Sequence, residues 1–275
     1  MYTMHETSGS GETECSIDVA DISIGYSVFG SGYPLLLIMG YGSTMKLWEP
    51  GLISKLASRF KVIIFDNRGI GRSGIGTNTF SIEQFCEDTS GFMDALGIQQ
   101  AHVLGWSMGS LIAQELVLRH PSKVNKLILY AAHCGAEIFP PSSEIIQQLT
   151  DTTGTPQERG MRYIGVLFPD SWLQHHRKRI EEIFFRPMGN IPKETVREQA
   201  MAIDAWKGSA ERLGEIRTPV LLIAGTEDCL VVPQNSRFMS EKIPDAQLDL
   251  IENGGHGLMF QYPDMFCEKV VAFLE

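Results

Sequence analysis

No stretch of the chain approaches the roughly 18 consecutive apolar residues that a membrane-spanning helix requires, so no membrane span is expected. The opening segment MYTMHETSGSGETEC has neither the basic region nor the apolar region of a secretory signal. Residues 1–13 are therefore expected to form a short frayed tail, and the protein to work in the cytoplasm. Cysteine is sparse: Cys15, Cys86, Cys134, Cys229 and Cys267 are odd in number, far apart and without CxxC spacing. That pattern supports neither a disulfide framework nor a cysteine zinc site, and a reducing compartment fits it. Basic charge is also short, with 23 Lys and Arg against 33 Asp and Glu and a net charge of −10. A nucleic acid partner needs a concentrated basic surface, which this chain does not offer. The densest basic cluster, Arg177, Lys178 and Arg179 beside His175 and His176, reads as the wet face of a helix; adjacent helical histidines point apart and make a poor ligand pair. Internal repeats, heptads and low-complexity tracts are absent.

What is present is the composition of a folded domain. Of 275 residues, 43% are hydrophobic and 20% charged, close to globular averages, and a chain of this length can bury a large core without staples. From Cys15 to Phe29 the pattern partly alternates and closes at GSGYP, which predicts two strands and a turn. Short continuous apolar runs follow: Leu35 to Met39, Val62 to Phe65, His102 to Leu104, Leu127 to Tyr130, Val220 to Ala224 and, more weakly, Leu248 to Ile251. Such runs are buried on both faces, and helical patterns separate them. One of these helices has Ile82, Phe85, Cys86, Thr89, Met93 and Leu96 on one face, with Ser81 and Gln84 as a capping box and Gly97 as its stop. Strand and helix alternate, which predicts an α/β fold with a doubly wound, mostly parallel sheet of eight strands.

The alternation breaks between residues 136 and 215. Helical patterns there succeed one another, carrying Ile145, Ile146 and Leu149, then Ile164, Leu167, Phe168 and Trp172, then Ile180, Ile183 and Phe184, and lastly Met201, Ile203 and Trp206. This stretch is expected to be an inserted helical cap on a core formed by residues 14–135 and 216–275. Most of its apolar residues are expected to bury against each other and the sheet, and some to line a pocket.

Within HVLGWSMGSLIAQELVLRHP, residues Gly105 to Gly109 spell GxSxG between an apolar strand and the amphipathic run Leu111, Ile112, Glu115, Leu116, Arg119. A sharp strand-to-helix turn brings backbone so close that the side chains two residues either side of the serine must be small. It also lifts the Ser107 hydroxyl above the sheet edge and places the Met108 N–H at a helix N-terminus, where an anion is favoured. A serine hydroxyl needs a base, ordinarily an imidazole oriented by a carboxylate. His256, in the glycine-rich loop NGGHGLMF, is the expected base. Asp228, in the turn after PVLLIAGTE, is the expected acid, with Glu227 facing solvent. His133 follows a strand at the same sheet edge and is expected in the pocket. His5, His102, His120, His175 and His176 read as structural or solvated.

In that chain order, Ser107, Asp228 and His256 resemble the triad of the α/β-hydrolase fold family. LLLIMGYGS resembles the family's oxyanion strand and loop, FDNRGIGRSG its turn after the next strand, GWSMGS its elbow, GTEDCLVVP its acid turn and GGHG its histidine loop. The resemblance implies an oxyanion hole from the backbone amides of Tyr41 and Met108, and a lid over the nucleophile from the helical insertion. Where the family usually has His-Gly, this chain has Met39 and Gly40.

The expected activity is hydrolysis of a carboxylic ester or related acyl compound through an acyl-enzyme, with no metal or organic cofactor. The imidazole must be neutral to act as base, so activity is expected to fall in acid. Aspartate-nucleophile chemistry, as in dehalogenases and epoxide hydrolases of this fold, is excluded by Ser107. Lactone opening, carbon–carbon hydrolysis and perhydrolysis on the same triad remain open, as does a receptor role for a small molecule. The substrate is expected to be a small apolar molecule bound near Trp106, His133, Trp206 and Leu258. Oligomeric state is not legible.

Overall fold

A computed structural model describes residues 15–135, 137–151, 153–185 and 187–275. The expected tail 1–13, His5 and the first cap residue Ala136 lie outside the described residues. The chain opens with β1 (Cys15–Val19) and β2 (Ile22–Phe29), paired antiparallel, as the alternating pattern required. Then come β3 (Pro34–Ile38), α1 (Pro50–Ala57), β4 (Lys61–Phe65), α2 (Ile82–Ala95), β5 (Ala101–Trp106), α3 (Met108–Arg119) and β6 (Val124–Tyr130). Among the described residues five helices follow without a strand: α4 (Ser143–Thr150), α5 (Pro156–Leu167), α6 (Asp170–Leu173), α7 (Arg177–Phe184) and α8 (Lys193–Ala205). The core resumes with β7 (Val220–Gly225), α9 (Gln234–Lys242), β8 (Ala246–Ile251), α10 (Leu258–Gln261) and α11 (Pro263–Leu274).

The strands form one eight-stranded sheet in the order β1-β2-β4-β3-β5-β6-β7-β8, parallel from β4 onward. Each central strand splits its apolar run by the two-residue period of a strand. Leu36, Ile63, Val103, Leu127 and Leu222 pack on one face with Phe85 and Phe92 of α2 and Leu111 and Ile112 of α3. Leu35, Val62, Leu104, Ile128 and Leu221 pack on the other with Leu52 and Leu56 of α1 and Phe266 and Val270 of α11. Chain direction across the sheet reverses at β3, whose neighbours are β4 on one side and β5 on the other. The loops leaving β3 and β5 therefore diverge, and a crevice opens between them at the carboxyl edge. Among the described residues no helix is long and apolar enough to cross a membrane.

Three local expectations change. The Ser81 hydroxyl caps α2 by accepting the Gln84 N–H, but the Gln84 side chain donates to Asp88 instead of completing the box. Helix α3 is not amphipathic, because its residues from Met108 to Val117 are all buried. Its Glu115 is tolerated there by donors from Arg119, Arg212 and Trp206. Helix α4 has no buried residue, and Ile146 and Leu149 are exposed, because none of its residues joins either face of the core and its last two, Leu149 and Thr150, line the crevice.

Candidate active site

Between β5 and α3 the backbone of Ser107 adopts φ 55° and ψ −120°, a conformation that an L-residue keeps only when its surroundings impose it. The surroundings are backbone. A Cβ on Gly105 would lie 2.3 Å from the Gly109 carbonyl oxygen, and one on Gly109 would lie 2.1 Å from that of Ile38. The turn is clamped by Ser107 N–H donating to the Tyr130 carbonyl at 3.0 Å. Its own carbonyl accepts both the N–H and the hydroxyl of Ser110. The Ser110 hydroxyl is thus committed to the turn, and the hydroxyl left facing the crevice is that of Ser107.

The strand end of β7 and the loop after β8 converge on the same edge. A Cβ on Gly225 would sit 2.0 Å from the Gly254 carbonyl oxygen, so the two segments meet backbone to backbone. Asp228 and His256 are both buried. The Asp228 Oδ2 accepts from His256 Nδ1 at 2.9 Å, and its Oδ1 accepts the N–H groups of Leu230 and Val231 at 2.9 and 2.8 Å. An ionised carboxylate can only accept, so Nδ1 carries the imidazole proton and Nε2 keeps its lone pair. Glu227 is exposed, as its place in the turn suggested. The loop is fixed from below, where the His256 carbonyl accepts from the Tyr130 hydroxyl at 2.5 Å and from Trp106 Nε1 at 3.2 Å. It is fixed from above by Gly257 N–H donating to the Leu167 carbonyl of α5 at 2.8 Å.

Ser107 and His256 line one cavity of about 380 Å³ together with Gly40, Tyr41 and Trp106. Met108 is the first residue of α3, so its N–H has no acceptor within the helix. The loop carrying Tyr41 packs on the elbow: a Cβ on Gly40 would come within 3.3 Å of the Ser107 Cβ. Two side chains pin this loop. Asn67 Nδ2 donates to the Met39 carbonyl at 3.0 Å, and Gly42 N–H donates to Gln199 Oε1 of α8 at 2.9 Å. Met39 itself is fully buried, which explains why an apolar side chain can stand where the resembled family has histidine.

A second lobe of about 280 Å³ opens on the other side of Ser107, lined by Met108, His133 and Asn235 among others. Burial, and then the neighbouring His256, push the His133 imidazole down to about 4, so it is neutral near pH 7. Burial and then Asp204 raise the Tyr41 phenol, and burial pushes Tyr163 up to about 12. Of the expected pocket residues, Trp106 lines the first lobe and His133 the second. Trp206 and Leu258 line neither. Trp206 turns down to donate to Glu115 at 2.9 Å, and Leu258 packs into the core beneath the histidine loop. Asn67, Gln199 and Tyr130 were missed because each acts on backbone remote in sequence.

Cys86, Glu87 and His120 form a possible metal-ligating group among the described residues. Burial raises the Cys86 thiol well above its ordinary value, and His120 Nε2 is already paired with Glu87 at 3.1 Å, so the group is a poor ligand set.

A family model described as the alpha/beta hydrolase fold matches residues 33–263. The chain belongs to the α/β-hydrolase fold family. With its elbow serine and its buried His–Asp pair, this α/β-hydrolase is a serine-hydrolase-type enzyme. It is 31% identical over 254 residues to RutD of Azorhizobium caulinodans, provisionally named a carbamate hydrolase, across 92% of this chain and 95% of that one. The meta-cleavage product hydrolase CumD of Pseudomonas fluorescens is 26% identical, with a TM-score of 0.78 over 94% of this α/β-hydrolase and 96% of CumD. The enol-lactonase of Burkholderia xenovorans, at 24% identity and a TM-score of 0.80 over 94% and 99% of the two chains, shares the fold.

Proposed function

We propose that the protein hydrolyses a carboxylic ester or related small apolar acyl compound through an acyl-enzyme. Ser107 attacks the carbonyl carbon while His256 Nε2 takes the hydroxyl proton. Asp228 holds the imidazole in that tautomer and offsets the charge it gains. The amides of Tyr41 and Met108 receive the oxyanion, and each such donor is typically worth roughly 3–4 kcal/mol of barrier. His256 then protonates the leaving group, and water, activated by the same imidazole, releases the acid. The observation that supports this reading most is the 2.9 Å His256–Asp228 hydrogen bond, with His256 lining the same cavity as the strained elbow serine.

Residues 136–215 serve as the lid of this site, a reading supported by Leu149, Tyr163, Ala200 and Ile203 of that stretch lining the cavity. The five cysteines are all free thiols, which supports a reducing, cytoplasmic setting. The test is a fluorophosphonate probe with the wild type and Ser107→Ala, alongside a panel of esters, lactones and vinylogous diketones. Labelling and ester turnover lost together in Ser107→Ala are expected; turnover surviving in that variant would overturn the reading. The 31% identity to RutD favours carbamate hydrolysis as a second reading, and a carbamate in the same panel decides between them.

A further inference from the structure

The two lobes beside Ser107 share Tyr41, Leu149, Ile203, Asp204 and Leu230, so they form one bipartite cleft with the serine at the division. Neither lobe is lined by lysine or arginine among the described residues. The carboxylate lining both is that of Asp204, which is exposed at their junction and enters no ion pair among the described residues. A substrate carboxylate would therefore meet a like charge and no cation to offset it. Asn235, 1% exposed, also lines the second lobe. Its Nδ2 donates to the carbonyls of Phe139 and Val232 at 2.9 and 3.3 Å, which fixes the orientation of the amide. Its Oδ1 is buried and has no hydrogen-bond partner among the described residues. His133 on the same lobe likewise has a buried Nδ1 with no partner among the described residues.

We propose that the cleft takes an uncharged acyl compound carrying an N–H or O–H group that Asn235 Oδ1 receives, and that Asp204 turns away substrates bearing a carboxylate. This rests on the acyl-enzyme reading and narrows it to a charge class. Buried acceptors of this kind confer selectivity because a ligand that cannot donate leaves them desolvated and unpaired. Asp204 acts at longer range and in contact with solvent, so its effect is smaller and sensitive to salt.

Three methyl esters of one six-carbon chain test the proposal, ending in a carboxylate (monomethyl adipate), a second methyl ester (dimethyl adipate) or a primary amide (methyl adipamate). In the wild type the amide is expected to have the highest kcat/KM, and the carboxylate to fall roughly tenfold below the diester at low salt. In Asp204→Asn the carboxylate is expected to rise to within about threefold of the diester. The same three compounds are measured by calorimetry on Ser107→Ala protein, where the same order of affinity is expected without turnover. An amide no better than the diester overturns the role of Asn235. Equal use of carboxylate and diester, a ratio that Asp204→Asn leaves unmoved, or affinity for none of the three overturns the charge class. If Ser107→Ala still turns the esters over, the acyl-enzyme reading fails while the affinity order still judges this proposal.

Discussion

Gly42 N–H donates to the side-chain oxygen of Gln199 at 2.9 Å, so one hydrogen bond joins the loop carrying Tyr41 to helix α8 of the insertion. Gln199 is fully buried, and nothing local in the sequence marks it. Its removal leaves the Gly42 amide unpaired and frees the neighbouring Tyr41 amide to drift. Gln199→Leu is expected to lower kcat roughly tenfold with a smaller change in KM, since misplacing a donor of the proposed oxyanion hole would hurt the transition state most. Gln199→Glu keeps an acceptor and is expected to retain more activity; equal losses in steady-state kinetics would count against this positioning role.

Asp228 accepts two backbone amides with one oxygen and His256 with the other. Asp228→Asn can keep the amide contacts but turns a donor toward Nδ1 and imposes the wrong tautomer. A kcat loss of about 10⁴ is expected with an unchanged circular dichroism spectrum. A loss below about tenfold would point to another residue as the orienting acid.

The strain at Ser107 is measurable. Ser107→Gly removes the Cβ from a position at φ 55°, so the variant is expected to be inactive yet more stable by about 1–2 kcal/mol. That corresponds to a melting temperature raised by roughly 2–6 °C, which calorimetry resolves. A lower melting temperature would show that the turn is not strained.

Glycines at two positions make a controlled comparison. Gly97 has φ +70° and open space, with no atom of the described residues within 4 Å of where a Cβ would stand, so Gly97→Ala is expected to cost about 1 kcal/mol, for backbone conformation alone. Gly109→Ala drives a methyl against the Ile38 backbone and is expected to cost more than about 3 kcal/mol or to prevent folding. Urea midpoints for the pair check the order.

Acid is expected to unfold the protein through two carboxylates. Arg68 and the amides of Asn78 and Thr77 hold Asp21 well below the usual carboxylate range. Burial works against charge on Glu115, but its bonds from Arg212, Arg119 and Trp206 outweigh that and leave it lowered. Both folded values lie below the unfolded ones, so this contribution to stability is complete above about pH 5 and drains away as the pH falls further. Urea midpoints measured from pH 7 to 3 are expected to hold to about pH 5 and then decline; a level profile to pH 3 would contradict the assignment.

The fold was legible because it is written in local patterns. Doubly buried runs such as Leu35 to Ile38 and Val220 to Ala224 admit few structures but parallel strands, and the helical stretch before Arg217 has no strand-like run to break it. Gly105 and Gly109 disclosed the elbow because only glycine survives at a backbone contact of that closeness. The histidine loop and acid turn were legible for a similar reason, each being a glycine-rich or polar break after an apolar strand. What the sequence could not disclose is which distant groups share a hydrogen bond. Trp206 carries the composition of a pocket residue, yet the buried charge of Glu115 claims its N–H. Leu258 likewise sits in a site motif while its side chain fills the core. Leu149 has the pattern of a core residue and instead faces the cleft. Gln199, Asn67 and Asn235 matter through single contacts across the fold, and such pairings are set by how the insertion seats on the sheet. Periodicity fixes a residue's side of its own element; only tertiary packing decides what stands opposite.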